Sequence, residues 1–127
     1  MSSDPLRGVI VSHAAVGRAL IAAVESITGV GDALVAVSND GCDRDALFRI
    51  LREAVGAGPA VLFIDLPGGS CLTGAVSYAR GRPELAVVTG VNLAMLLDFV
   101  FHRDLTPPAA AERAAAAGSR AIRVPAA

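Results

Sequence analysis

Two side chains that could do chemistry directly follow short apolar runs. His13 comes after Gly8–Ser12, and Asp65 comes after Ala60–Ile64. A carboxylate that accepts from one imidazole nitrogen fixes the tautomer and leaves the other nitrogen as a nucleophile. It also stabilises the positive ring that forms when that nitrogen takes a phosphoryl group. Taken singly, His13 fits a hydrogen-bonded histidine at a strand end equally well, and Asp65 could be only a helix cap. The pair favours a nucleophilic histidine.

A glycine-rich turn, Gly68-Gly69-Ser70, follows Asp65 at the expected entrance of a helix. Glycines there let backbone N–H groups approach an anion, and the helix N-terminus adds a favourable dipole. The Ser70 hydroxyl can donate a further hydrogen bond. A tight turn that needs glycine for a positive φ is the alternative interpretation, but the position directly after the carboxylate favours a phosphate site.

Four short apolar runs predict the strands that position these residues. They lie at Gly8–Ser12, Ala33–Val37, Ala60–Ile64 and Leu85–Val88, and their composition is typical of strands buried on both faces. Amphipathic segments alternate with them and predict helices. Buried strands alternating with helices favour an α/β fold, an open doubly wound parallel sheet with helices on both faces. Ligands bind beyond the carboxyl ends of such strands, so we expect the histidine, the carboxylate and the turn to share one rim.

Three further residues could lie on this rim. Ser12 ends the first strand, and Asn92 follows the fourth, where it can also cap a helix. Arg18, one turn into the first helix, could reach a phosphate, although we assign it to the exposed surface.

Capping signals predict the helix boundaries. Gly29 is suited to end the first helix, and Asp43 to cap the second. The apolar spacing places the third helix at Leu72–Ala79, and Asn92 precedes the fourth.

The last segment differs in character from the rest of the chain. Thr106 as a cap and Pro107 in the first turn predict an alanine-rich helix that ends around Gly118. Arg120–Val124 then alternates polar and apolar residues, which is typical of a strand solvated on one face. Without a repeat, linker or composition shift, residues 1–127 are predicted to form one domain.

Composition excludes several classes of function. The chain is 54% hydrophobic with a mean hydropathy of +0.57, but its longest apolar stretch, Leu85–Leu97, is interrupted by polar residues. A spanning helix needs about 20 predominantly apolar residues, so no membrane segment is expected. No signal peptide is expected either, and we expect a cytoplasmic location. A net charge of −1 without a basic cluster argues against nucleic acid as a partner.

Cysteine spacing and the basic residues narrow the chemistry further. Cys42 and Cys71 form no CxxC pair, so no metal site or disulfide framework is expected, and Cys71 is interpreted as structural. All eleven basic residues are arginine. A P-loop, a Schiff base and the lysine of a response-regulator receiver are therefore excluded.

Three motifs in order resemble the IIA components of mannose-type sugar phosphotransferase systems. They are Val11-Ser12-His13, Asp65-Leu66-Pro67-Gly68-Gly69-Ser70 and Thr89-Gly90-Val91-Asn92-Leu93-Ala94-Met95-Leu96-Leu97. Their spacing covers nearly the whole chain. The pattern departs from the family at Ala14, where glycine is usual, and at Cys71 and Ala94, where proline is usual. None of these changes removes a reactive group.

The resemblance implies a function and a set of roles. His13 would take a phosphoryl group from the phosphocarrier HPr and pass it to a separate IIB component, with no cofactor. Asp65 would orient the imidazole, and Ser70 with the neighbouring backbone amides would hold phosphate oxygens. The family fold has four parallel strands and an antiparallel fifth, which is exchanged within a homodimer in well-known members. Arg120–Val124 could supply that strand.

Other functions remain open at this point. A phosphocarrier subunit of a dihydroxyacetone kinase uses a similar histidine on the same fold. A regulatory phosphocarrier without a dedicated transporter would need the same residues. A flavodoxin-like binding module, in which His13 only lines a pocket, is the non-catalytic alternative.

Overall fold

The computed structural model describes residues 5–126, which form four strands and five helices. The strands are β1 (Arg7–Ser12), β2 (Leu34–Ser38), β3 (Ala60–Ile64) and β4 (Leu85–Thr89). The helices are α1 (Val16–Thr28), α2 (Arg44–Val55), α3 (Gly69–Ala79), α4 (Leu93–Val100) and α5 (Pro107–Arg120). Strands and helices alternate up to α4, as the sequence predicts.

The strands form one parallel sheet in the order β2-β1-β3-β4. The central strands are buried on both faces, which explains their uninterrupted apolar sequences. The chain passes from β1 outward to β2 and then returns to β3 on the other side of β1. The strand order therefore reverses between β1 and β3, and this is the point where an open α/β sheet opens a crevice. The doubly wound parallel sheet is confirmed.

Two apolar layers cover the sheet. Helices α1, α4 and α5 pack on one face and α2 and α3 on the other. On the first face Phe63 and Phe99 meet edge to face, with ring centroids 5.1 Å apart. Gly8 lies beside this pair, and a Cβ atom there would fall 2.6 Å from Leu34 and 2.8 Å from Phe99. This position on β1 therefore requires glycine for the close approach of its neighbours.

Most predicted caps are present. Gly29 ends α1 in the left-handed conformation, at φ +76°. The side chains of Asp43, Asn92 and Thr106 each accept a hydrogen bond from a backbone N–H in the first turn of α2, α4 and α5. These polar residues bind donors that the helix itself cannot satisfy, which is why they mark its beginning.

The third helix begins earlier than predicted. It starts at Gly69 instead of Leu72, so the glycine-rich turn forms its first turn. Apolar spacing missed this turn because it is exposed and has few apolar side chains to bury.

The predicted C-terminal edge strand is absent from the described chain. Helix α5 continues past Gly118 to Arg120, and residues 121–126 form no strand. Ile122 and Val124 are 77% and 99% exposed. A strand needs a neighbouring strand to pair its backbone groups, and this segment has none within residues 5–126. No helix in this range is long and apolar enough to cross a membrane.

Candidate functional site

The site is centred on His13 and Asp65, which leave adjacent strands at the point where the strand order reverses. One carboxylate oxygen of Asp65, Oδ2, accepts from ring Nδ1 of His13 at 2.8 Å and from the backbone N–H of His13 at 2.9 Å. The proton therefore lies on Nδ1, and Nε2 of the neutral ring carries the free electron pair. The His13 side chain is 45% exposed and that of Asp65 is 13% exposed, so another protein can reach the imidazole while the carboxylate stays behind it.

Asp65 is held in its ionised form. Burial alone would raise the pKa of this carboxyl, but hydrogen bonds from the ring and the amide of His13, together with the positive charge of the ring when it is protonated, outweigh burial and lower the pKa from 3.8. Asp65 is therefore a carboxylate at neutral pH. It can stabilise positive charge that develops on the imidazole.

The glycine-rich turn forms an open helix N-terminus beside this pair. Gly68 is the N-cap of α3 and makes no side-chain cap hydrogen bond, so the first backbone N–H groups are not capped by it. Gly69 has φ +87°, and a Cβ atom at either glycine would meet nothing within 4 Å. Such an N-terminus attracts an anion through its N–H groups and its dipole.

Cys71, in the first turn of α3, places this helix beside the imidazole. Its Sγ lies 3.9 Å from Nδ1 of His13, and its side chain is fully buried. Burial, with the charges of Asp65 and Asp40, raises the pKa of the thiol to about 11. The thiol is therefore neutral at physiological pH.

The loop after β2 completes the rim. Asn39 Nδ2 donates to Ser70 Oγ at 2.7 Å, and Asp40 Oδ1 accepts from the backbone N–H of Ala14 at 3.4 Å. No sequence pattern indicates that Asn39 binds Ser70. The contact joins segments 31 residues apart and arises only in the folded chain.

The three additional rim candidates have different surroundings. Ser12 is buried, and its Oγ accepts from the backbone N–H of Gly17 at 3.0 Å, which supports the start of α1. Arg18 lines a cavity of about 500 Å³ between α1 and the loop after β2, together with Ser12 and Asp40. Asn92 caps α4, and its Nδ2 donates to the carbonyl oxygen of Gly118 at 3.1 Å. Its contacts thus join α4 to α5 and do not include His13.

Ala14, which stands where the family pattern has glycine, has an unusual backbone conformation. It has φ +50°, the one positive φ of a non-glycine residue in residues 5–126. A glycine adopts this conformation without steric cost, whereas a Cβ atom makes it unfavourable. The turn that carries His13 therefore has a backbone suited to the family's glycine.

Comparisons with known proteins identify a family to which the chain is similar. The family model EIIA-man, described as the PTS system fructose IIA component, matches residues 8–117. The mannose/sorbose specific IIA subunit of the phosphotransferase system from Enterococcus faecalis is 26% identical, with a TM-score of 0.80, over 98% of this chain and 97% of that chain. No curated protein matches the sequence.

Two further solved structures show the same fold at lower identity. The phosphotransferase system component EIIA from Streptococcus agalactiae is 18% identical, with a TM-score of 0.85, over 94% of this chain and 96% of that chain. The PTS IIA protein associated with the fucose utilization operon of Streptococcus pneumoniae is also 18% identical, with a TM-score of 0.73, over 97% and 96% of the two chains. Since the family model covers most of the sequence, the chain belongs to the mannose-type IIA components of the sugar phosphotransferase system.

Proposed function

We propose that this IIA protein carries a phosphoryl group on His13, takes it from HPr in the cytoplasm and passes it to a IIB component during sugar uptake. The family supplies the general role, that of a phosphotransferase component of a sugar phosphotransferase system. The observation that supports His13 is the hydrogen bond from its Nδ1 to Asp65 at 2.8 Å. This bond leaves the exposed Nε2 as the nucleophile.

The transfer exchanges one bond to phosphorus for another. The electron pair of Nε2 forms a bond to phosphorus, while the bond to the donor breaks and its electron pair leaves with the donor. The proton on Nδ1 stays in place, so the ring becomes positive as the new bond forms. Asp65 stabilises that charge, and the same steps in reverse deliver the phosphoryl group to the IIB component. No metal takes part in these steps.

The open turn Gly68–Ser70 is suited to hold the phosphoryl oxygens. Its backbone N–H groups are at the N-terminus of α3, and the helix dipole favours negative charge there. Because Asn39 donates to Ser70 Oγ, the hydroxyl hydrogen of Ser70 is free to donate to a phosphoryl oxygen. We assign phosphate binding to this turn.

We also infer that the protein forms a homodimer through its C-terminal segment. Ile122, Arg123 and Val124 alternate apolar, polar and apolar and are exposed, and β4 pairs with β3 alone among the described strands. An edge strand with free N–H and C=O groups can accept a strand from a second copy. A variant that ends at Arg120 should therefore elute as a monomer in size-exclusion chromatography with light scattering, where the full chain elutes as a dimer. A full chain that is monomeric would contradict this inference.

The phosphorylation experiment uses the protein with phosphoenolpyruvate, enzyme I, HPr and radiolabelled phosphate. The full chain should acquire acid-labile label, and His13→Ala should acquire none. His102→Ala is the matched control because His102 is the second of the two histidines in the chain, and it should be labelled like the unmodified protein. Equal labelling of the His13 variant would reject the proposal.

Transfer to an acceptor is tested separately. Labelled protein, purified from HPr and mixed with a mannose-type IIB component, should lose its label to that component. Retention of all the label with every mannose-type IIB component tested would contradict the transport role and favour a regulatory phosphocarrier.

A further inference from the structure

We propose that Nδ1 of His13, Oδ2 of Asp65 and Sγ of Cys71 form a binding site for a zinc ion. The three residues come from three different segments, and one ligand atom of each lies within 4.8 Å of the other two. Imidazole nitrogen, carboxylate oxygen and thiolate sulfur are the donors that Zn²⁺ prefers in proteins. Cysteine spacing predicts no metal site, because the three residues meet only in the folded chain.

The distances fit a tetrahedral ion after small movements. With zinc bonds of about 2.0–2.3 Å, neighbouring ligand atoms lie about 3.3–3.8 Å apart. The separation of Sγ and Nδ1 is 3.9 Å and that of Nδ1 and Oδ2 is 2.8 Å. The imidazole would therefore move away from Oδ2 by about half an ångström and stay where it is relative to Sγ. The carboxylate and Sγ, which lie within 4.8 Å of one another, would approach by up to about 1 Å.

Asp65 has a spare acceptor for such an ion. Its second oxygen, Oδ1, is buried and has no hydrogen-bond partner in the part of the chain that the structure describes. A buried carboxylate oxygen without a partner is uncommon. An ion at this position gains a second contact with the carboxylate. The imidazole beside the buried oxygen and sulfur atoms is half-exposed, so an ion can reach these atoms from solvent past this side chain.

Binding involves a proton and no electrons. The thiol of Cys71 loses its proton to the buffer and coordinates as a thiolate. The proton of His13 moves from Nδ1 to Nε2, so that Nδ1 can offer its electron pair to the ion. Zinc does not change oxidation state.

The position of the ion would exclude the phosphoryl group. With zinc on Nδ1, the proton lies on Nε2, and the ring has no free electron pair for phosphorus. Metal binding does not depend on the function proposed above, but the block of phosphorylation by bound zinc does.

A titration of the full chain with Zn²⁺ in an isothermal titration calorimeter tests the site directly. The unmodified protein should bind one Zn²⁺ ion per chain, and Cys71→Ala should weaken binding about tenfold or more. Cys42→Ala is the matched control, since it removes a thiol outside the cluster, and it should bind like the unmodified protein. No zinc binding by the unmodified protein, or equal affinity of the Cys71 variant, would overturn the proposal.

Cobalt identifies the ligands independently of affinity. The unmodified protein and Cys42→Ala should develop the near-ultraviolet absorption of a thiolate bound to Co²⁺, and Cys71→Ala should not. If the Cys71 variant does not fold by circular dichroism, Cys71→Ser replaces it, since its hydroxyl is a much poorer zinc ligand than a thiolate. A cobalt band that disappears with Cys42 and persists without Cys71 would refute the assignment.

Labelling through HPr, with and without bound zinc, distinguishes a failure of the zinc proposal from a failure of the proposed phosphocarrier function. Protein loaded with zinc, freed of excess metal and then phosphorylated through HPr should acquire far less label than metal-free protein, and Cys71→Ala should be labelled equally in both cases. Equal labelling of the unmodified protein with and without bound zinc would contradict the exclusion. If metal-free protein is never labelled, the proposed function fails while the calorimetric result stands.

Discussion

Replacing Asp65 with asparagine changes the charge behind His13 and keeps the shape of the side chain. The amide oxygen can still accept from both Nδ1–H and the backbone N–H of His13, which are 2.8 and 2.9 Å from Oδ2. What is lost is the negative charge that stabilises the ring as it becomes positive. Asp65→Ala removes both the charge and the acceptor, so the two variants separate electrostatics from orientation.

The expected loss follows from the hydrogen bond. A hydrogen bond to a charged group contributes about 1.5–3 kcal/mol, and about 1.4 kcal/mol corresponds to a tenfold change in rate. Because the charge on the ring develops during transfer, most of this contribution acts on the transition state. Asp65→Asn keeps a neutral hydrogen bond, which contributes about 0.5–1.5 kcal/mol, so the loss is about 1–1.5 kcal/mol and we expect phosphorylation by HPr to slow about 5- to 12-fold. Phosphorylation of Asp65→Ala should be slower still, because nothing then holds the imidazole of His13 in one orientation.

Single-turnover labelling measures this rate directly. Phosphorylated HPr is mixed with excess IIA protein in a quenched-flow instrument, and the acid-labile label is followed over time. Circular dichroism and thermal unfolding establish that each variant is folded. A rate for Asp65→Asn within about twofold of the unmodified protein, well below the effect of one charged hydrogen bond, would refute the electrostatic role of Asp65. Equal rates for the two variants would show that orientation by the amide contributes nothing.

Three further predictions concern stability. Gly8→Ala should lower the free energy of unfolding in urea by about 1–3 kcal/mol because the new methyl group overlaps two core side chains, whereas Gly68→Ala should stay within about 0.5 kcal/mol because its surroundings are open. Asn92→Ala should lower the free energy of unfolding by about 2 kcal/mol, because it removes both a helix cap and a hydrogen bond to α5. Thr106→Ala removes only a cap and should lower it by about 1 kcal/mol. Equal losses for the two variants would contradict the link between α4 and α5. The pKa of Asp65 is lowered from 3.8 in the folded protein, so its contribution is complete above that value and is lost as the pH falls below it. Acid titration of stability should therefore show a steeper decline for the unmodified protein than for Asp65→Asn.

The sheet and the central pair could be predicted because both depend on local patterns. Uninterrupted apolar runs indicate strands buried on both faces, and parallel strands bring their carboxyl ends to one edge. His13 and Asp65 follow two such runs directly. Their contact then requires only that β1 and β3 be neighbours, and the structure confirms that they are.

Other features depend on contacts between distant segments, which local patterns do not indicate. Asn92 has the sequence position of a rim residue, but its amide group binds α5, whose position is set by packing of its alanines against α4. The sequence indicates a structural role for Cys71, but folding brings its Sγ to 3.9 Å from Nδ1 of His13, a residue 58 positions away in the chain. Ile122-Arg123-Val124 has the alternation of a strand, but a strand also requires a partner, and that partner is not in the described part of this chain.

The double role of Oδ2 of Asp65 links the ring of His13 to its own main chain. Any event that changes the charge or the position of this oxygen alters the environment of two protons in the same residue. The backbone amide resonance of His13 in an ordinary ¹⁵N-labelled sample is therefore a sensor of what is bound to the imidazole. It allows occupancy of the ring to be followed by NMR in solution without radioactivity and without a label on the side chain.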